Sequence, residues 1–280
     1  MLTFTCHVPG PRRCLLEVAG YSHSVDPVSG DHVDLVLSTS GTKLTMFLGD
    51  ATGHGARAGL IAAEVIGAIR SLATEGAPPH QLLAHANRIL ANRLESGFIC
   101  AAVVQIDLLN REVIYSSAGH NGFHFRREAS TIVLPNDSLP LGFNPNEKYE
   151  LNVLGVIGFD EIIALFSDGI FETMCGSGHL LGTPTVVAQI ESSRALRPIE
   201  IAHIVEGIRA THQGEGPTRD DMSLLVMKIS EAPRRRPGPT SSGTLGSSSL
   251  EFASRRASSK ADRERVMPIW SNGPLGACCE

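Results

Sequence analysis

Three features of the sequence predict an α+β layered fold. Short apolar stretches suited to strands recur along the body, several are joined by tight turns, and the amphipathic helical segments come in pairs instead of alternating one-for-one with strands. Tight turns favour antiparallel hairpins, because a parallel crossover needs a dozen residues or more. The expected architecture is a four-layer α-β-β-α sandwich, two antiparallel sheets flanked by helix pairs. With 280 residues, 42% of them apolar and 19% charged, the chain is long enough to bury a substantial core.

Strands are expected over residues 15–21, 33–38 and 43–48, with Ser40-Gly41 turning the chain between the second and third. Two helices should follow. Residues 55–75 place Leu60, Ile61, Val65, Ile69 and Leu72 on one face, and residues 79–94 do the same with Leu82, Leu83, Ala86, Ile89 and Leu90. Strands resume at 98–107 and 112–117, separated by the turn Leu109-Asn110-Arg111, and continue at 122–126, 149–153 and 162–167. Helices near 183–191 and 198–211 precede a last strand at 222–229. No internal repeat is visible. From Pro233 the composition turns to Pro, Gly, Ser and Arg without apolar periodicity. Such a segment cannot bury enough apolar surface to offset its ordering entropy. The expected organisation is an N-terminal extension over 1–13, one domain over 14–230, and a disordered tail over 231–280. That tail is either an inert solvated segment or an electrostatic docking arm and phosphorylation target around Arg255–Ser259.

Charge separates along the same boundary. The formal net charge of -5 combines 16 basic and 24 acidic residues over 1–230 with 8 basic and 5 acidic residues beyond. An acidic body gives no reason to expect a nucleic-acid partner, which would need a basic face. No membrane span is expected, since the longest apolar stretch, 59–69, is interrupted by Glu64 and a span takes about 20 apolar residues. Arg12 and Arg13 follow the first apolar residues and no signal-peptide core exists. Cysteines at 6, 14, 100, 175, 278 and 279 form no C-x-x-C pair, so they suit neither a zinc site nor a disulfide framework. A cytoplasmic setting is expected.

The chemistry concentrates in four acidic spots at strand edges: Gly30-Asp31-His32-Val33-Asp34, Gly49-Asp50-Ala51-Thr52-Gly53-His54-Gly55, Ser167-Asp168-Gly169 and Arg219-Asp220-Asp221-Met222. Each has an ordinary reading. Asp168-Gly169 reads as a turn, Asp50 as a helix cap, and Asp220 and Asp221 as solvated turn residues. Together they pose an electrostatic problem. Two carboxylates about 5 Å apart repel by roughly 3 kcal/mol at an effective dielectric of 20. Four converging carboxylates need a counter-charge, and a hard divalent cation with oxygen ligands, Mg²⁺ or Mn²⁺, supplies it. Gly53 and Gly55 permit a tight turn beside the start of the first helix, whose free N–H groups welcome an anion. A metal-binding Asp next to such a turn suits phosphoryl chemistry.

Six ordered motifs then resemble one family: Ser29-Gly-Asp-His-Val-Asp34, Gly49-Asp-Ala-Thr-Gly-His-Gly55, Ser117-Ala-Gly-His-Asn121, Leu139-Pro-Leu-Gly142, Ser167-Asp-Gly-Ile-Phe-Glu172 and Asp220-Asp-Met-Ser223. They are similar to the signature of the SpoIIE/RsbU-type serine phosphatases, the bacterial branch of the metal-dependent protein phosphatase 2C (PPM) superfamily. The resemblance covers about residues 14–229. It implies two Mn²⁺ or Mg²⁺ ions in a cleft at one end of the sandwich and hydrolysis of phosphoserine or phosphothreonine on a protein. By motif position Asp31 and Asp50 would hold metals, with the Ala51 carbonyl as a further ligand. Asp168 would complete the site with Asp220, or with Asp221 in its place. Ser29 stands where a glycine is usual, and His32-Val33 replace an aromatic pair. No Arg near the first motif is an evident phosphate clamp; Arg57 and Arg219 are the candidates.

His54 is the first candidate for protonating the leaving oxygen and His120 the second, each also readable as a hydrogen-bonded structural residue. The resemblance further implies a phosphorylated STAS-type anti-sigma-factor antagonist as partner and substrate. With about 13 residues ahead of the body, regulation is expected from a partner, from expression level or from the tail. Three other readings stay open: a phosphoesterase for small molecules or nucleotides, a pseudophosphatase, and a signalling scaffold that binds through its tail.

Overall fold

The protein, seen in a computed structural model, is described over residues 1–8, 14–53, 55–91, 97–126 and 131–231. Residues 231–280 were expected to be a tail; all but Glu231 lie outside the described residues.

One sheet contains β1 (Leu2–Val8), β2 (Cys14–His23), β7 (Gly122–Phe125), β8 (Ile132–Val133), β10 (Ile162–Phe166) and β11 (Met222–Glu231), in the order β1-β2-β11-β10-β7-β8. The other contains β3 (Asp31–Leu37), β4 (Lys43–Ala51), β5 (Ile99–Asp107), β6 (Glu112–Ala118) and β9 (Asn152–Val156), in the order β3-β4-β5-β6-β9. Every pairing between neighbouring strands is antiparallel. The turns form as their residues dictate. Gly41 takes φ +67° between β3 and β4, and the Asp107 carboxylate accepts the Leu109 N–H at 2.8 Å between β5 and β6.

Helices α1 (Ala56–Thr74) and α2 (Pro79–Leu90) cover the β3–β9 sheet. The short α3 (Asp168–Phe171), with α4 (Thr183–Ser192) and α5 (Pro198–Gln213), lies on the other. Three apolar layers result. Leu16, Val18, Met46, Leu48, Val104 and Leu225 are among those filling the space between the sheets. Val65, Ile69, Leu82, Leu83 and Leu90 pack α1 and α2 onto Phe47 and Val103. Ile170, Val186, Ile201 and Val205 pack the other helices onto Phe125, Phe166 and Val226. This is the α-β-β-α sandwich read from the sequence.

Several details differ from that reading. Residues 2–8 are no extension outside the domain. They form β1, paired with β2 along its whole length, where alternate residues Phe4, Cys6 and Val8 are buried. The buried face of α1 carries Ala58, Ala62, Val65, Ile69 and Ala73, while Leu60 is 73% exposed. Of the expected apolar stripe, Ile61, Val65, Ile69 and Leu72 pack toward the sheet, and Leu60 alone points away, its place on the buried face taken by alanines. In α2 the buried polar Asn87 donates to the Asn144 carbonyl at 2.8 Å and accepts from the Gly142 N–H at 2.7 Å. That ties the helix to the Leu139-Pro-Leu-Gly142 motif, whose Leu141 exchanges two backbone hydrogen bonds with Ile99.

Candidate active site

The acidic motifs meet because both sheets end at the same pole. In the antiparallel register Asp31, the first residue of β3, lies opposite Asp50 near the end of β4, and Asp50 lies opposite Cys100 on β5. In the facing sheet β10 runs out at Phe166, leaving Ser167 and Asp168, while Asp220 and Asp221 directly precede β11. A cavity of about 350 Å³ opens there, lined by Asp50, Ala51, Thr52, Gly53, Phe98, Cys100, Asp168, Arg219 and Asp220.

Ser167 joins the sheets. Its hydroxyl donates to Asp31 Oδ2 at 2.6 Å and accepts the Ser223 N–H at 2.9 Å. Asp31 is 3% exposed. Asp168 opens α3, so Asp168-Gly169 is a helix start and not the hairpin turn its sequence allows. Gly169 is required by close approach: a Cβ there would stand 2.0 Å from the Asp221 carbonyl oxygen. The Asp50–Gly55 turn uses positive φ at Gly53 (+81°) and Gly55 (+83°), as its glycines suggest.

The two adjacent aspartates behave differently. Asp221 is 3% exposed and both its oxygens are engaged. Oδ1 accepts the Val25 N–H at 2.8 Å, and Oδ2 accepts the Gly30 N–H at 2.6 Å and the Ser29 hydroxyl at 2.9 Å. It therefore clamps the loop that leads into Asp31. Asp220 is exposed and lines the cavity.

Burial first, and then the neighbouring Asp31, Asp168 and Asp220, push the Asp50 carboxyl up to about 9. Asp31 is raised to about 7, mainly by burial, with the Ser167 hydrogen bond opposing the shift and the neighbouring Asp168 and Asp221 adding to it. Burial, then Asp50 and Asp168, raises the Cys100 thiol to about 12, so this cysteine holds its proton. No basic side chain among the described residues is ion-paired with Asp31, Asp50 or Asp168. Four acidic side chains thus neighbour one another at the pole. Among the described residues no three His, Cys, Asp or Glu side chains close around a single point.

The two histidines fare unequally. His54 lies outside the described residues. His120 is 7% exposed and away from the cavity lining, and burial holds its imidazole down to about 4. Its backbone is pinned by Ser117, whose Oγ accepts the His120 N–H at 3.1 Å, and by the Tyr115 hydroxyl donating to its carbonyl at 3.0 Å. Ser167, Ser29 and Cys100 had no assigned role in the sequence reading. For Ser29 a signal existed, since it departs from the usual glycine, and its hydroxyl is one of the three donors to Asp221.

Comparison with known proteins identifies the family and the fold. The family model for stage II sporulation protein E (SpoIIE) matches residues 40–230. Phosphoserine phosphatase RsbU of Bacillus subtilis (strain 168) is 26% identical over 228 residues, covering 78% of this chain but 64% of RsbU. The chain thus spans less than two thirds of that relative. The SiaA-PP2C domain of Pseudomonas aeruginosa has the same fold at a TM-score of 0.67 and 18% identity, over 75% of this chain and 85% of that one. The structure of the RsbU and RsbW domains of a Mycobacterium tuberculosis protein gives 0.66 and 22%, over 81% and 62%. The PP2C phosphatase domain of Bacillus subtilis SpoIIE gives 0.63 and 19%, over 75% and 63%. With a family model covering most of its length and PP2C-type domains as its structural neighbours, the chain belongs to the SpoIIE family.

Proposed function

We propose that the chain is a metal-dependent protein serine phosphatase. The observation that carries this reading is the acidic pole, where burial and three neighbouring carboxyls raise Asp50 to about 9 beside an open cavity. Such a set fits divalent cations, two Mn²⁺ or Mg²⁺, held by Asp31, Asp50, the Ala51 carbonyl, Asp168 and Asp220. Asp220 is preferred over Asp221, because both oxygens of Asp221 are committed to the loop before Asp31. When bound, such ions supply hydroxide near neutral pH and offset charge on a phosphoryl group.

The chain's own residues do the rest. Ser167 orients the Asp31 carboxylate, and Asp221 fixes the backbone that delivers it. The cavity walls, Thr52 and Phe98 on one side and Asp220 on the other, confine the phosphoester. His120, neutral at pH 7, has no spare proton for the leaving serine oxygen and acts as a buried support. His54, four residues after Asp50 in the sequence, remains the first candidate for the general acid. The similarity to a phosphoserine phosphatase supports phosphoserine as the reacting group. The expected substrate is a phosphorylated STAS-type anti-sigma antagonist in a partner-switching pathway. No described helix is long and apolar enough to cross a membrane.

The test is hydrolysis of a phosphoserine peptide. Turnover should vanish on chelation and return with Mn²⁺, and Asp168→Asn should lower it by roughly 10³-fold in a protein that stays folded. Activity indifferent to the chelator, full activity in that variant, or hydrolysis of nucleotides alone would contradict the reading.

A further inference from the structure

Arg219 stands at the border of two hollows. It lines the acidic cavity, and it also lines a neighbouring one of about 200 Å³ between α3, α5 and the segment leading into β11. Among the described residues it is the one basic side chain lining the acidic cavity. Its guanidinium Nη1 lies 3.8 Å from Met174 Sδ, and no carboxylate among the described residues is ion-paired with it. Arg209, in the second hollow, differs: Nε and Nη2 along one edge of its guanidinium donate to the Glu206 carboxylate, each at 2.8 Å.

Charge balance gives Arg219 a task. On the reading under Proposed function, Asp31, Asp50, Asp168 and Asp220 neutralise two divalent cations. A phosphoserine side chain carries nearly two negative charges at pH 7, and a neutral cation–carboxylate cluster gives it little net attraction. Capture of the dianion calls for a further cation within reach of the cavity. A guanidinium meets this need well, since its fork can donate two parallel hydrogen bonds to phosphate oxygens. The backbone that carries Arg219 is also well fixed. Two residues on, Asp221 is anchored to Val25, Ser29 and Gly30, and Met222 starts β11. The contact with Met174 steadies the guanidinium while leaving its charge unspent.

We propose that Arg219 binds and orients the phosphoryl group of the substrate. It acts from the lip of the cavity.

The experiment compares wild type with Arg219→Gln and Arg219→Lys in three readouts. These are kcat and KM for a phosphoserine peptide, the inhibition constant of inorganic phosphate, and Mn²⁺ affinity by calorimetry without substrate. In Arg219→Gln, KM and the phosphate inhibition constant should both rise about 10- to 100-fold, the loss expected when one charged hydrogen-bonding partner is removed. Mn²⁺ affinity should not change, and Arg219→Lys should recover part of the loss. Values within twofold of wild type would overturn the proposal, and so would a parallel fall in Mn²⁺ affinity, which would mark a structural role. If the wild type fails to hydrolyse the peptide, the phosphatase reading falls. Inorganic phosphate binding to the Mn²⁺-loaded protein then still decides on Arg219, and equal affinity in Arg219→Gln overturns its role.

Discussion

Around α5 the protein buries charges of opposite sign together; at the strand ends it buries charges of the same sign. Arg209 is held by two 2.8 Å bonds to Glu206 and by Gln213. Lys228, 4% exposed on β11, donates to the carbonyls of Arg194 at 2.6 Å and Leu196 at 3.1 Å, with Asp160 at 3.4 Å. Asp31 and Asp50, by contrast, face each other across two strands with no basic partner among the described residues. Both regions rest on the same sandwich. The α5 region spends its charges on holding the fold together. At the pole, burial and neighbouring carboxyls raise Asp31 and Asp50 instead, at a cost in stability.

Three substitutions break this contrast, in decreasing order of effect. Asp221→Ala removes three hydrogen bonds to a buried carboxylate and releases the loop before Asp31. It should destabilise by about 3 kcal/mol or more and weaken Mn²⁺ binding as well, read by thermal unfolding and by calorimetry. Glu206→Ala strands Arg209 but should cost less, roughly 2–3 kcal/mol, because Glu206 keeps a partial exposure of 30%. Its Mn²⁺ affinity should stay at the wild-type value, which separates a stabilising region from a binding one. Asp50→Asn should act in the opposite direction. The variant should lose Mn²⁺-dependent activity, yet in its metal-free form it should gain stability above about pH 9, where the wild-type Asp50 is ionised, by roughly 2–4 °C for each kcal/mol of repulsion removed. A metal-free Asp50→Asn protein that melts earlier than wild type would show that Asp50 is a structural residue.

The sandwich was legible in the sequence because its signals are local. Apolar runs, paired amphipathic helices and turn residues such as Ser40-Gly41 each declare their element without help from distant residues. The elements that escaped have weak local signals. β1 is read correctly only beside β2, since its alternation of Phe4, Cys6 and Val8 spans barely three buried positions. Leu60 misled because side-chain size alone does not reveal which face of α1 meets the sheet; alanines, with Val65 and Ile69, make up the buried face there. Asp31, Asp50, Asp168 and Asp220 could be placed at strand ends from the sequence. The difference between Asp220 and Asp221 could not, because it depends on the partners Val25, Ser29 and Gly30, some 190 residues away. The same holds for Ser167, whose partner Asp31 belongs to the opposite sheet. Asp168-Gly169 shows how tertiary packing overrides a short-range signal: a common turn dipeptide becomes a helix start, pressed against the backbone before β11.

The raised carboxyls also fix how stability must depend on pH. A carboxyl whose folded value lies above its unfolded value of about 3.9 binds its proton more tightly in the folded chain. That contribution favours folding in full at pH below the unfolded value. It is lost as pH rises through about 7 for Asp31 and about 9 for Asp50. The metal-free protein should therefore lose stability from mildly acidic to alkaline pH, and a cation should restore it most where both groups are ionised.

Thermal unfolding at pH 8.5, with and without Mn²⁺ at about a hundred times its dissociation constant, tests the central claim most directly. Mn²⁺ should raise the midpoint of the wild type by roughly 5–10 °C, and by much less in Asp50→Asn and Asp168→Asn. An unchanged midpoint in the wild type, or an equal rise in all three proteins, would contradict the assignment of the acidic pole as a divalent-cation site.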